Sequence, residues 1–412
     1  MSKKNGKLTF TILSISLLTV MAGAAMAPAL GVIRTHFADQ SNLMVQLIVS
    51  LPALTIIITN LFFPFLCRLV RTRTLAILGL LMYVVFGSGA FFADNIWVVL
   101  LLRALLGVSV GMIMPLSTGL LAYYFTPDEQ PHLMGLAAFM SQVGGVIATL
   151  LSGLLANIDW NYAFLVYLFG LPALVLVAVN LPNERLNTGA STMKNSPDYY
   201  VSETGITKAR KKEGHPLSSM MRFAPSIVGM YLQMLLFFIF PTNFAITARA
   251  NEALTGNDIT LIMVGLDVIA AIVGVVFGWM MDKMGRSVKY LAPLTFALGY
   301  ALFAMGSETA LVLSGAFFVG FANGIGVPYL NTIASIKGGK DAATTVMPLI
   351  SAAMFLGQFT SPLIVSPISE AIGGNNTPYT VGVLFSIIFL IQTLLSRRYQ
   401  AISVIKDPHS QA

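Results

Sequence analysis

Three observations predict an all-α membrane protein with twelve transmembrane helices in two pseudo-symmetric six-helix bundles. Of 412 residues, 56% are hydrophobic and only 10% charged. An average soluble domain carries roughly 25% charged residues, so the chain cannot clothe a water-facing surface of this size. Twelve apolar runs reach membrane length, and the two halves of the chain repeat at a nearly constant offset. A mean hydropathy of +0.80 also excludes a disordered chain. One cysteine, Cys67, excludes an intrachain disulfide and a cysteine-based metal cluster.

A helix crossing about 30 Å of hydrocarbon needs roughly 20 apolar residues. Span 1 is read over Leu8–Ile33, span 2 over Leu43–Leu66, span 3 over Leu75–Phe92 and span 4 over Trp97–Ala122. Span 5 follows at Leu133–Leu155, span 6 at Tyr162–Leu181, span 7 at Ala224–Ile246 and span 8 at Ile259–Met281. Spans 9 to 12 are Tyr290–Met305, Ala310–Ile333, Thr345–Ile368 and Val381–Leu395. Lipid offers the backbone no partners, so only helices or closed barrels cross it. These runs are too long for the alternating ten-residue strands of a barrel. Lys3, Lys4, Lys7 and the small-residue Ala25-Met26-Ala27 imitate a secretory signal. The apolar run exceeds the usual 7–15 residues or so of such a signal, and Pro28 follows the imitation directly; span 1 is read as a retained helix.

With twelve spans, both termini share one side. That side collects 21 of the 24 Lys+Arg, including Arg68, Arg71 and Arg73 after span 2 and Lys283, Arg286 and Lys289 after span 8. The other side has Arg34 and Arg249, and Arg103 lies within span 4. The positive-inside rule makes both termini cytoplasmic in a multi-pass protein of the cell membrane. The net charge of +7 thus reads as topology, not as a nucleic-acid surface.

The one long hydrophilic stretch, 182–222, separates six spans from six. It is read as a cytoplasmic linker between an N-terminal bundle (1–181) and a C-terminal bundle (223–396), with 397–412 as a cytoplasmic tail. Its basic run Lys208-Ala209-Arg210-Lys211-Lys212 either touches anionic headgroups or is simply solvated. At an offset of 213, Gly107, Gly111 and Pro115 of span 4 recur as Gly320, Gly324 and Pro328 of span 10. Pro28 matches Pro241; Met134 and Gly144 match Met347 and Gly357. Six spans per half is even, so the halves are parallel repeats about an axis along the membrane normal. A seam between two such bundles can hold a solute near mid-membrane.

After span 8 the chain reads Gly278-Trp279-Met280-Met281-Asp282-Lys283-Met284-Gly285-Arg286. This resembles the cytoplasmic gate motif of the major facilitator superfamily. Gly278 and Gly285 would let helices approach, Asp282 would sit at a helix end or accept from Arg286, and Lys283 with Arg286 would lock a neighbouring helix. The matching place after span 2, Pro64 to Arg73, has Arg68 for the acid and lacks both glycines. Arg103 ahead of Gly107 resembles the superfamily's membrane arginine, and Gly144 to Gly153 in span 5 partly matches the glycine–proline signature of its drug–proton antiporters. Ala148 and Thr149 stand where glycine and proline belong. Gly357, Ser361 and Pro362 of span 11 come closer to that pattern. The chain is most similar to the twelve-span drug:proton antiporter group. The resemblance implies the major facilitator fold and proton-coupled transport by alternating access.

Arg103 and Asp267 are the ionisable residues buried in the apolar runs, each costing about 2.5–3.5 kcal/mol at a helix centre on insertion scales. They lie roughly 12 and 14 Å deep at 1.5 Å per residue. Asp267 shares a stripe with Ala271, Gly274 and Gly278, so it points at another helix or the cavity edge. It is either a proton-coupling site or part of a fixed structural pair or hydrogen bond within the C-terminal bundle. Arg103 either braces helix carbonyls, assists proton movement as the resemblance implies, or anchors an anionic solute. Gln142, Gln233, Asn243, Asn323, Tyr329, Asn331 and Gln358 either line the solute cavity or bridge helices. The four histidines fall in loops or ends, so no metal site is read, and no cofactor or hydrolytic motif is found. The expected function is proton-coupled export of drug-like or amphipathic molecules by a monomer. The alternatives are carriage of a small organic anion held by Arg103, or a non-transporting sensor.

Overall fold

The computed structural model describes residues 3–125, 130–183, 216–250, 254–338 and 346–396. Among these every regular element is a helix, and twelve are long and apolar enough to cross a membrane. Most extend the sequence-read spans by a turn at one or both ends: Asn42–Leu69, Thr72–Gly89, Ile96–Tyr124, Gln130–Ala156, Pro216–Ala250, Gly256–Met284, Val288–Met305, Thr309–Gly338, Met347–Ile372 and Thr377–Leu395 are spans 2 to 5 and 7 to 12. Side-chain caps set several starts. Ser41 accepts from the Met44 amide, Asn95 from the Trp97 amide, and Thr255 and Asp258 form a reciprocal capping box. All three caps open spans that start on the face away from the termini, here the far face.

Two spans are less regular than their hydropathy suggests. Span 1 was read as one helix; it is Lys3–Ala24, a stretch of turns, then Leu30–His36. Pro28 has no amide proton and clashes with the preceding turn, which breaks the helix. Pro241, its repeat partner, sits inside the unbroken helix Pro216–Ala250. Span 6 begins as the 3-10 stretch Trp160–Phe169 and becomes α-helical at Gly170–Asn180. Most of the linker, with its basic run, and the 397–412 tail lie outside the described residues.

The repeat read from the sequence is the packing plan. Spans 4 and 10 lie on spans 2 and 8, and spans 5 and 11 lie on spans 1 and 7. Gly107 is so close to span 2 that a Cβ there would run into the Pro52 carbonyl and the Thr55 side chain. Cβ atoms on Gly320 and Gly324 would fall 2.7 and 2.6 Å from the Leu266 and Ala270 carbonyl oxygens of span 8. Gly144 meets the Leu17 carbonyl of span 1 in the same way, and Gly357 the Tyr231 carbonyl of span 7. Lipid removes the hydrophobic drive between helices, so such backbone approach carries the packing. Gly278 does not take part: it is exposed, with open space where a Cβ would go. The expectation that it lets helices approach is corrected here. Of the two glycines on the stripe below Asp267, Gly274 has a backbone neighbour, the Gly324 carbonyl oxygen, 3.9 Å from where its Cβ would be. Between the halves, span 2 packs on span 11, span 5 on span 8, and the Leu30–His36 helix on span 7. Val275, at 82% exposure, and Met305, at 74%, belong to the apolar perimeter that lipid would cover.

Candidate functional site

The seam between the halves carries hydrogen-bonded polar groups along its far-face portion. Gln46 of span 2 donates to Asn243 of span 7 at 2.8 Å and accepts from Ser366 of span 11 at 2.5 Å. Asn243 also donates to the Ile239 carbonyl, and all three side chains are buried. Asn157 of span 5 donates to Asn257 of span 8 at 2.7 Å. One turn deeper, Gly153 lies against Thr260, and a Cβ there would strike its hydroxyl. The line ends at mid-depth, where Thr149 donates to the Asp267 carboxylate at 3.1 Å. Thr149 is buried and Asp267 half-buried. Spans 5 and 8 run antiparallel, so these contacts form one row down a shared face.

Inward of that row no hydrogen bond joins spans 5 and 8 among the described residues. Gln142 is seven residues from Thr149, about two turns along the same face of span 5, and it is exposed. Gln358 of span 11 is buried, with its Nε2 3.1 Å from where a Cβ on Gly23 of span 1 would stand. At the terminal-face end of span 8, Asp282 and Lys283 are exposed, and the Lys283 ammonium sits 5.0 Å from the Trp279 ring centroid. The bend at Gly285 has φ +55°, a region glycine tolerates best. The Arg286 side chain lies outside the described ones. The conformation is thus shut from the far face to mid-depth.

Arg103 makes its hydrogen bonds within the N-terminal half. It is fully buried inside the N-terminal bundle, donating from Nε to the Ile48 carbonyl at 2.7 Å and from Nη2 to the Ala22 carbonyl at 2.6 Å. Its Nη1 donates to the Tyr167 hydroxyl. Spans 1, 2, 4 and 6 are thereby tied through one guanidinium. Gln233 is buried between spans 7 and 10, its Nε2 3.4 Å from the Ala322 carbonyl and its Oε1 without a hydrogen bond. Asn323 is half-buried, with its carbonyl oxygen also unsatisfied. Tyr329 is buried beside Val288, Ala292 and Phe389, within the C-terminal bundle. Asn331 is half-exposed. Of the candidate residues, the structure brings Asp267, Asn243, Gln142 and Gln358 to the seam and holds Arg103, Gln233 and Tyr329 within one half. The sequence reading missed Gln46 and Ser366 as seam residues. Gln46 is an amide within span 2 and met the same criterion as Gln142; Ser366 gave no signal.

The sequence pattern of the Major Facilitator Superfamily matches residues 12–362. The quinolone resistance protein NorA of Staphylococcus aureus (strain MRSA252) is 22% identical over 366 residues, covering 86% of this chain and 88% of NorA. A bacterial homologue of the human lysosomal transporter Spinster, in an inward-facing and occupied conformation, superposes with a TM-score of 0.76 at 12% identity, over 96% of this chain and 97% of its own. The human organic anion transporter MFSD10 superposes with a TM-score of 0.65 at 16% identity, over 95% and 100%. At these identities the structures speak to the fold alone. The fold, the twelve spans and the sequence match agree: this chain belongs to the Major Facilitator Superfamily, whose members are membrane transporters of small molecules and not enzymes.

Proposed function

We propose that the protein is a proton-coupled secondary transporter that exports drug-like or amphipathic small molecules by alternating access, as a monomer with both termini in the cytoplasm. One observation carries the reading: the ionisable group described at mid-depth on the seam is a carboxylate, Asp267. Its hydrogen bond is to Thr149 of the other half, and no cation pairs with it among the described residues. A carboxylate without a fixed counter-charge, where the row of cross-seam contacts ends, is suited to taking and releasing a proton. It also favours neutral or cationic solutes over anions. Arg103 fits a scaffold role, since its three donor nitrogens are all used on protein acceptors. Gln142 and Gln358 are the substrate contacts this reading favours, and the name of NorA, a quinolone resistance protein, is consistent with it.

The test is efflux of a cationic dye from proteoliposomes under a pH gradient of either sign. Dye movement that follows the sign of the gradient is expected, and Asp267→Asn should abolish that response. Efflux indifferent to the gradient overturns proton coupling; a wild-type rate in Asp267→Asn removes Asp267 from the mechanism. Labelling that finds a terminus outside the cytoplasm overturns the orientation. The second reading, carriage of a small organic anion, draws on the name of a probable chloroplastic anion transporter of Arabidopsis thaliana, 28% identical over 119 residues, or 29% of this chain and 21% of that protein. Transport of an organic anion by the same proteoliposomes, without efflux of the dye, favours the second reading.

A further inference from the structure

Thr149 faces two acceptors with one hydroxyl proton. Its Oγ is 3.0 Å from the Gly145 carbonyl oxygen of its own helix and 3.1 Å from Asp267 Oδ2 across the seam. A hydroxyl has one proton to give and two lone pairs to receive. Its β-branch restricts it within the helix, so both neighbours meet the same oxygen in nearly the same place. Two hydrogen-bond patterns therefore fit one geometry. With Asp267 ionised, the Thr149 proton points to Oδ2. With Asp267 protonated, the carboxyl proton points to Oγ, and the Thr149 proton turns to the Gly145 carbonyl. Neither pattern leaves a buried donor unpaired.

We propose that Thr149 is the positioning residue for Asp267, a two-way hydrogen-bond partner that holds the carboxyl at the seam in both its protonated and ionised forms. This deepens the proton-coupling reading above and rests on it for its place in transport. The surroundings leave the task to Thr149. Spans 5, 7, 9 and 10 pack on span 8. The charged or titratable side chains they contribute among the described residues are Tyr231 and Arg249 of span 7, Lys289, Tyr290 and Tyr300 of span 9, and Tyr329 of span 10. None of these hydrogen-bonds to Asp267, and span 5 contributes no titratable side chain among the described ones. An asparagine or a backbone amide could not reverse its direction without rotating; a hydroxyl reverses by turning one O–H bond.

The experiment is infrared difference spectroscopy of the purified full-length protein across pH, read at the C=O stretch of the protonated carboxyl. Asp267→Asn assigns the band by removing it. Thr149→Val, near in shape and lacking the hydroxyl, should shift the band and move the pH dependence of dye efflux; Thr149→Ser should restore both. Thr149→Ala carries the same comparison if the valine variant does not fold. A band unmoved by loss of the hydroxyl overturns the proposal, as does the absence of any band lost in Asp267→Asn. A band that shifts as expected in a protein whose efflux ignores the pH gradient supports the positioning role while overturning proton-coupled export.

Discussion

The two halves follow one packing rule and carry opposite chemistry at their centres. Gly144 and Gly357 meet carbonyls of spans 1 and 7; Gly107 and Gly320 meet spans 2 and 8. The polar interior does not repeat. In the N-terminal half, Arg103 and Tyr167 converge on the Ala22 carbonyl of span 1. In the C-terminal half, the Leu236 carbonyl of span 7, at an offset of 214 from Ala22, accepts from the hydroxyl of Tyr300, and Ala316 stands at an offset of 213 from Arg103. Conversely, Asp267 corresponds to Ala53 at an offset of 214. Tyr167 rests on Gly87 of span 3, but Tyr300 rests on Gly382 of span 12, so the tyrosines reach the same kind of carbonyl from different helices. The duplicated part is backbone contact; the charges sit in single copy, a fixed cation in one half and a lightly held carboxylate in the other. The two bundles thus share a packing rule and differ in the charge each holds in its interior.

That contrast can be broken most directly at Arg103. Arg103→Ala removes three hydrogen bonds from a charged donor and should lower stability by on the order of 3 kcal/mol, measured as thermal unfolding in detergent. Ala316→Ser, at the equivalent place, should be near neutral; equal losses would erase the asymmetry. Gly144→Ala and Gly357→Ala should each cost about 2 kcal/mol by forcing spans apart. A neutral outcome at one of them would mean the halves do not share the rule. Tyr167→Phe should cost more than Tyr300→Phe, with the latter near 1 kcal/mol or about that, because only Tyr167 also accepts from Arg103. A modest effect is expected at Gln46→Leu. Loss of two neutral cross-seam hydrogen bonds, about 0.6 kcal/mol each, should raise labelling of Thr260→Cys from the far face about eightfold. The single native cysteine, Cys67, is buried and would be replaced by serine for that measurement.

The spans were legible because membrane thickness imposes a length that composition reveals. The repeat was legible because close backbone contact needs glycine, and Gly107, Gly111, Gly144, Gly320, Gly324 and Gly357 sit at the close contacts. Which side of each helix meets the opposite half was not. Membrane helices are apolar all round, so periodicity does not separate a lipid face from a seam face. Gln233 and Gln46 look alike in sequence, yet one is held within the C-terminal bundle and the other joins the halves. Arg103 was legible as a costly buried cation, but its acceptors are backbone carbonyls and a tyrosine from distant spans, which no local pattern records. The break in span 1 was hidden because Pro28 and Pro241 present the same signal, and only one interrupts its helix.

The row from Gln46, Asn243 and Ser366 to Asn157 and Asn257 is made of amides and a hydroxyl, with no ion pair among them. Mobile ions screen charges, not neutral dipoles at contact distance. The bolt on that face should therefore hold equally well in brine and in fresh water, leaving a cell free to change its surroundings without springing its own transporter open.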